Sequence, residues 1–217
     1  MADVEKLFAL LDQDDAAALT SALAGIRADV PILNENGESL VLYGMYRGKA
    51  KCVGMLLARG GASLHEAAAA GDVSRLDSCL RAAPWAIGTL SGDGWTALHL
   101  AAFLGRDDAV ELLLGNAANA RQWGRALDAN LAIHAACAGR CLGKTAFARL
   151  IAATGDPDIP QKAGFTALMI AAANGFADAV EALLSAGADR GRKTADGKTA
   201  ADFARERGHD AVAQRLA

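Results

Sequence analysis

Three short stretches of this 217-residue chain carry side chains whose types and spacing could do chemistry. His134, Cys137 and Cys141 follow one another at steps of three and four, and imidazole with thiolate is a ligand set that suits zinc. On a helix those steps place all three on one face, yet three ligands leave a tetrahedral structural site one short. The run Ala138-Gly139-Arg140-Cys141-Leu142-Gly143-Lys144-Thr145 fits a loose phosphate-loop pattern, with Ala138 where the first glycine belongs. Its backbone N–H groups and Lys144 would cradle phosphate at the start of a helix. Such a loop should follow a buried β-strand, whereas Leu131 to Ala138 is Ala-rich, and no later strand ends in an acidic magnesium ligand. The four histidines, His65, His99, His134 and His209, are the candidates for general acid–base work. No serine nucleophile elbow, paired-carboxylate arrangement or dinucleotide glycine fingerprint accompanies them. With Cys52 and Cys79 the cysteines lack the spacing of a disulfide framework, and all four read as reduced thiols. The expectation is no catalytic residue, no cofactor and no metal, with nucleotide binding through Gly143-Lys144-Thr145 as a distant alternative.

What must position these residues is visible in composition and repetition. Hydrophobic residues make up 53% of the chain but aromatics only 5%, and Ala and Leu dominate, which favours helix over sheet. Lys and Arg number 22 against 25 Asp and Glu, so a net charge of -3 provides no global positive field for nucleic acid or anionic lipid. Asp3 and Glu5 precede any apolar run, unlike a secretory signal, and no 18-residue apolar window exists to span a membrane. A cytoplasmic location is expected. Arg outnumbers Lys by 15 to 7, which together with the abundant Ala suggests a bacterial source. Glycines 11 residues apart recur at Gly37 and Gly48, Gly94 and Gly105, Gly164 and Gly175, and Gly197 and Gly208. Val53, Val110 and Val180 stand five residues after the second glycine, followed by Leu56-Leu57, Leu113-Leu114 and Leu183-Leu184. Thr96 can cap a short helix over Ala97 to Ala102, which ends at Gly105. A second helix follows, and its Val and Leu form one apolar stripe against the first.

These residues resemble ankyrin repeats, whose pattern runs G-x-T-P-L-H-x-A-A-x-x-G, then Val five residues on, then L-L-x-x-G-A. Gly94 to Gly105 matches with Ala97 in the proline slot, and Gly164 to Gly175 matches with Met169 in the histidine slot. If degenerate and capping copies are admitted, the resemblance covers essentially the whole chain as a single domain of seven copies: 3–33, 34–62, 63–91, 92–123, 124–159, 160–192 and 193–217. It implies an all-α ankyrin-repeat solenoid of stacked helix-turn-helix units with short β-hairpin-like fingers. It also implies that His65, His99 and His134 bond backbone of neighbouring repeats, that His209 stands in another favoured histidine slot, and that Cys137 is a buried small residue. Two departures stand out. Gly48 to Gly71 is 23 residues, ten short of the family step, so the finger before Leu64 should be missing and the row of fingers gapped there. Four extra residues around the fifth copy should divide between the loop near Gly124 and the loop from Gly139 to Lys144. Both are basic, with Arg121, Arg125, Arg140, Lys144 and Arg149 against Asp128, which reads either as a binding loop or as a solvated one.

The same resemblance implies a function. Partners of this family usually lie in the concave groove, on the finger tips and the exposed residues just before the inner-helix glycine. Mapped copy by copy, those positions hold Glu38, Tyr46 and Arg47; Trp95, Phe103 and Leu104; Asn130; Phe165 and Asn174; and Lys198, Glu206 and Arg207, with Trp123 in the adjoining turn. The partner-binding candidates are therefore Tyr46, Arg47, Trp95, Phe103, Leu104, Trp123, Phe165 and Asn174, apolar at the centre and polar at the ends. A monomeric, non-catalytic module that binds a protein partner is expected, with no nucleic acid or membrane contact. The alternative is a cytoplasmic regulator or antidote that inhibits one enzyme or toxin.

Overall fold

The computed structural model describes residues 4–125, 129–140 and 142–217. Among these residues fourteen α-helices pack as consecutive pairs. They are α1 (Val4–Asp12) with α2 (Ala16–Ala22), α3 (Leu40–Tyr46) with α4 (Ala50–Ala58), α5 (Leu64–Ala70) with α6 (Val73–Ala82), and α7 (Ala97–Phe103) with α8 (Asp107–Gly115). The remaining pairs are α9 (Ala132–Ala138) with α10 (Lys144–Thr154), α11 (Ala167–Ala173) with α12 (Ala177–Ser185), and α13 (Ala200–Glu206) with α14 (Asp210–Leu216). The first helix of each pair packs on the first helix of the next, which makes an inner row, and the second helices lie outside it. This is the all-α solenoid that the repeat resemblance implies.

Local chemistry explains the elements. Ser39, Ser63, Thr96, Thr166 and Thr199 each accept a hydrogen bond from a free N–H in the first turn of an inner helix. Leu131 has no such oxygen, and there the Leu131 N–H donates to Nδ1 of His134 instead, at 3.1 Å. Ala101, Ala102, Ala171 and Ala172 are fully buried where inner helices approach, and Val110, Leu113, Val180 and Leu183 form the buried stripe of the outer ones.

The fingers are built from one repeated turn. The N–H groups of Asn34, Ser91, Gln161 and Thr194 donate to the carbonyls four residues on, at Glu38, Trp95, Phe165 and Lys198, and Leu33 and Ser39 form an antiparallel bridge. In the fifth pair's finger Ala129 stands in the glycine slot with a φ of 34°, a conformation that costs a residue with a Cβ. The expected division of its extra residues is found: 139–143 link α9 to α10 where three residues, 104–106, link α7 to α8, and 116–131 is two longer than 186–199.

Only Arg59–Ser63 separate α4 from α5, so the missing finger is missing. The gap, however, is closed over. The fingers on either side lean together until Gly37 meets Gly92, so closely that a Cβ on either would overlap the other's carbonyl oxygen. Only a side chain of hydrogen fits there. The core divides near the same place. One buried cluster holds Leu7, Leu11, Leu19, Leu42 and Leu56 with Leu100 and Leu104, and another runs from Leu64 to Leu216.

Candidate functional site

Three of the four candidate histidines are used by the stack itself. His65 Nε2 lies 2.9 Å from Thr89 O, His99 Nε2 lies 2.9 Å from Asn130 O, and His134 Nε2 lies 2.8 Å from Ile159 O. Each joins an inner helix to the loop that follows its pair. His99 Nδ1 sits 2.7 Å from Thr96 Oγ1, so the second nitrogen is engaged as well. In His134 one nitrogen accepts from Leu131 and the other faces a carbonyl, which leaves no lone pair for a metal. Burial lowers the pKa of both rings, that of His134 to about 4, so both are neutral at physiological pH. His209 packs against Gly175. Cys52 and Cys137 are buried, and burial pushes the Cys52 thiol up to about 11. Cys141 and Asp128 lie outside the described residues.

The phosphate-loop resemblance has a structural explanation. The Arg140 N–H donates to Phe103 O at 2.7 Å, and the Gly143 N–H donates to Asp107 Oδ1 at 2.9 Å. Gly139 passes so close to Phe103 O that a Cβ would collide with it. The Arg140 and Gly143 N–H groups thus point at an internal carbonyl and a carboxylate, and Gly139 and Gly143 serve close packing on the preceding pair. Lys144 turns away to pair with Asp178 at 3.4 Å, and Arg149 pairs with Glu111. Lys144 and Arg149 thus lie on α10 rather than in a loop, and both pair with carboxylates of neighbouring outer helices.

The remaining candidates lie where inner-helix ends meet finger bases. The Trp95 and Phe103 rings pack edge to face with centroids 5.2 Å apart, and Phe103 meets Tyr46 in the same way at 6.1 Å. Tyr46 belongs to α3 and Phe103 to α7, two pairs along, and they meet because Ala69 and Ala70 of α5 leave the space between them open. The Tyr46 hydroxyl donates to Asp93 at 2.7 Å, and burial, followed by the Asp93 charge, holds that hydroxyl well above its usual pKa. All three rings are half-buried and form one aromatic platform. Arg47 is exposed, stacks 4.8 Å from the Tyr43 ring centre and pairs with Asp12.

Leu104 does not join the platform. It is 4% exposed and lies in the core beside Leu100, which removes it from the candidate surface. Phe165 sits apart, half-buried against Phe203 at 5.2 Å, with Lys198 Nζ 5.7 Å from the Phe203 ring centre. Asn174 donates to Cys137 O at 2.9 Å, so its amide ties two pairs together. Trp123 is 44% exposed. The sequence pattern gave no slot to Asp93 or Phe203, and none to Trp85, which is 77% exposed in a 3-10 turn over Pro84–Gly88.

Family comparison agrees with this architecture. Residues 93–122 match the ankyrin-repeat model and residues 133–217 match the model of ankyrin repeats in three copies. The two matches span more than half of the chain, which belongs to the ankyrin-repeat family. No curated protein matches it. Ankyrin repeats generally mediate protein–protein interaction and are typically non-catalytic.

Proposed function

We propose that this chain is a non-catalytic module that binds a partner protein on the face of inner-helix ends and finger bases, the concave groove of its family. The platform of Tyr46, Trp95 and Phe103 carries the reading. Three aromatic rings from two helix pairs and one finger pack together, each partly open to solvent, with Arg47 next to Tyr46 in the chain, and rigid aromatics with a nearby arginine are the usual anchors of an interface. Phe165, Phe203 and Trp123 extend the surface toward the other end. All seven helix pairs are taken as repeats, with the boundaries given by the sequence. The net charge of -3 favours a protein over nucleic acid, no described helix is long and apolar enough to cross a membrane, and a cytoplasmic monomer fits both.

The test is affinity capture with tagged protein, followed by cross-linking of the purified complex and titration with variants. Trp95→Ala and Phe103→Ala should weaken binding by at least about 2 kcal/mol. Glu38→Ala should act mainly on association rate and salt dependence. Melting curves must first show the variants folded. Wild-type affinity in both aromatic variants, or cross-links confined to 121–125 and 140–144, would move the interface to the basic loops. If the partner is an enzyme or toxin that loses activity on binding, the chain is its regulator or antidote.

A further inference from the structure

The finger that the third pair lacks leaves a cavity of about 400 Å³. Its walls are the turn over 27–31, the first finger around Ile32 and Leu33, the short link 59–63, and Leu90 to Gly92 of the next finger. The beginnings of α3 and α5 form its floor. The Gly37–Gly92 contact fixes these walls, so the space is already formed without a ligand.

The lining is mostly apolar, and each of its charged or ionisable groups already makes a hydrogen bond or ion pair within the chain. Glu66 on the floor accepts from Ser39 Oγ at 2.6 Å and from the Ser63 N–H at 2.8 Å. Arg59 donates to Ile26 O at 2.7 Å, and Arg27 pairs with Asp29. What lacks cover is apolar: Val30 and Leu33 are 51% and 44% exposed, two of the five large hydrophobics most open to water among the described residues.

We propose that this cavity is a binding site for an uncharged, largely apolar small molecule. Its volume lies within the range of small-ligand sites, roughly 300–1,000 Å³. A charged head group would have to compete with these existing bonds and give up its hydration, whereas an apolar body would cover Val30 and Leu33 and leave the bonds in place. Because the cavity lies close to where the two core clusters divide, an occupant also braces the first two helix pairs against the rest.

The test uses three probes of one chain length, 1-octanol, octanoate and octylammonium, titrated into the full chain by calorimetry and followed by hydrogen exchange. Octanol should bind saturably, at least about tenfold tighter than either ion, and should slow exchange at 26–40 and 59–66 but not at the C-terminal pairs. Ala62→Trp, which fills the cavity, should weaken octanol binding at least tenfold, and Trp85→Ala, an exposed residue outside the lining, should change nothing. If Ala62→Trp fails to fold, Leu33→Asp at the exposed rim takes its place with the same expected loss. Unsaturable binding, equal affinity for octanoate or octylammonium, or full binding by the rim variant would overturn the proposal. Partner binding plays no part in these measurements, so the two readings stand or fall separately.

Discussion

The fingers of the fourth, fifth and sixth pairs are joined by backbone hydrogen bonds, from Arg125 N–H to Gly94 O at 2.8 Å and from Lys162 N–H to Ala129 O at 3.4 Å. The fingers before the second and fourth pairs have no such bond among the described residues and meet at Gly37 and Gly92. In the first region each unit is held by its immediate neighbours, as stacked repeats usually are. In the second, a deleted finger lets units two apart meet directly, at the glycine contact, at the Tyr46–Asp93 hydrogen bond and at the Tyr46–Phe103 ring pair. A regular stack and a bridged one can thus share a chain, and the bridged part trades packed core for a cavity.

The largest test of that contrast is to remove a leucine from each region. Leu113 is fully buried in the regular stripe, and Leu113→Ala should cost roughly 2–5 kcal/mol in a denaturant melt. Leu56 is also in a core cluster, but it already borders the cavity, so Leu56→Ala removes fewer contacts and should cost less. Equal losses would mean that the two regions are packed alike.

Acid offers a second test, aimed at the regular region. The neutral His134 ring is held between Leu131 and Ile159, and its pKa falls from an ordinary 6.5 to about 4. Between those values the unfolded chain binds a proton that the folded chain refuses. The contribution is therefore complete above pH 6.5 and is lost as pH falls toward 4, by up to about 3 kcal/mol. His134→Gln should flatten that part of the stability profile. An unchanged slope would show that the ring is not held neutral.

Much of this architecture could be read from sequence, and the failures have physical causes. The glycine spacing, the capping Thr and Ser residues and the Val and Leu stripe are local features, and local features set helix boundaries. The missing finger showed as a step of 23 residues. Its closure did not, because the meeting of Gly37 with Gly92 depends on two loops 55 positions apart. Slot position also left side-chain direction open. Arg47, Leu104 and Asn174 share one place before the glycine, yet Arg47 turns to Tyr43 and Asp12, Asn174 reaches for Cys137 O, and Leu104 folds into the core. Trp85 lies in a turn with no counterpart in the repeat, so the pattern gave it no place.

The glycine bridge itself can be broken. Gly92→Ala would drive a Cβ into the Gly37 carbonyl and should cost about 1–3 kcal/mol, the usual penalty of overpacking. Gly54→Ala is its control. It lies on α4 with nothing near the new methyl group, and should stabilise by about 0.5–1 kcal/mol through helix propensity. If Gly92→Ala melts like the wild type, the two fingers do not meet in solution.

The smallest expected effect belongs to Lys144. Its side chain is 80% exposed, and its ion pair with Asp178 lies between two solvated groups. Exposed pairs of this kind contribute little, because the attraction is screened and two long side chains lose freedom in making it. Lys144→Ala should therefore leave the melting midpoint unchanged. It should also leave nucleotide affinity unchanged, since the N–H groups that would hold phosphate at 140 and 143 are already bonded to Phe103 O and Asp107. A phosphate entering there would have to displace the Asp107 carboxylate and meet its charge. Calorimetry with ATP and GTP in the presence of magnesium should find no binding in either protein. Magnesium-dependent binding that Lys144→Ala abolishes would mean that the loop opens away from Asp107 and Phe103, and that the contact between the fourth and fifth pairs is a switch rather than a fixed joint of the stack.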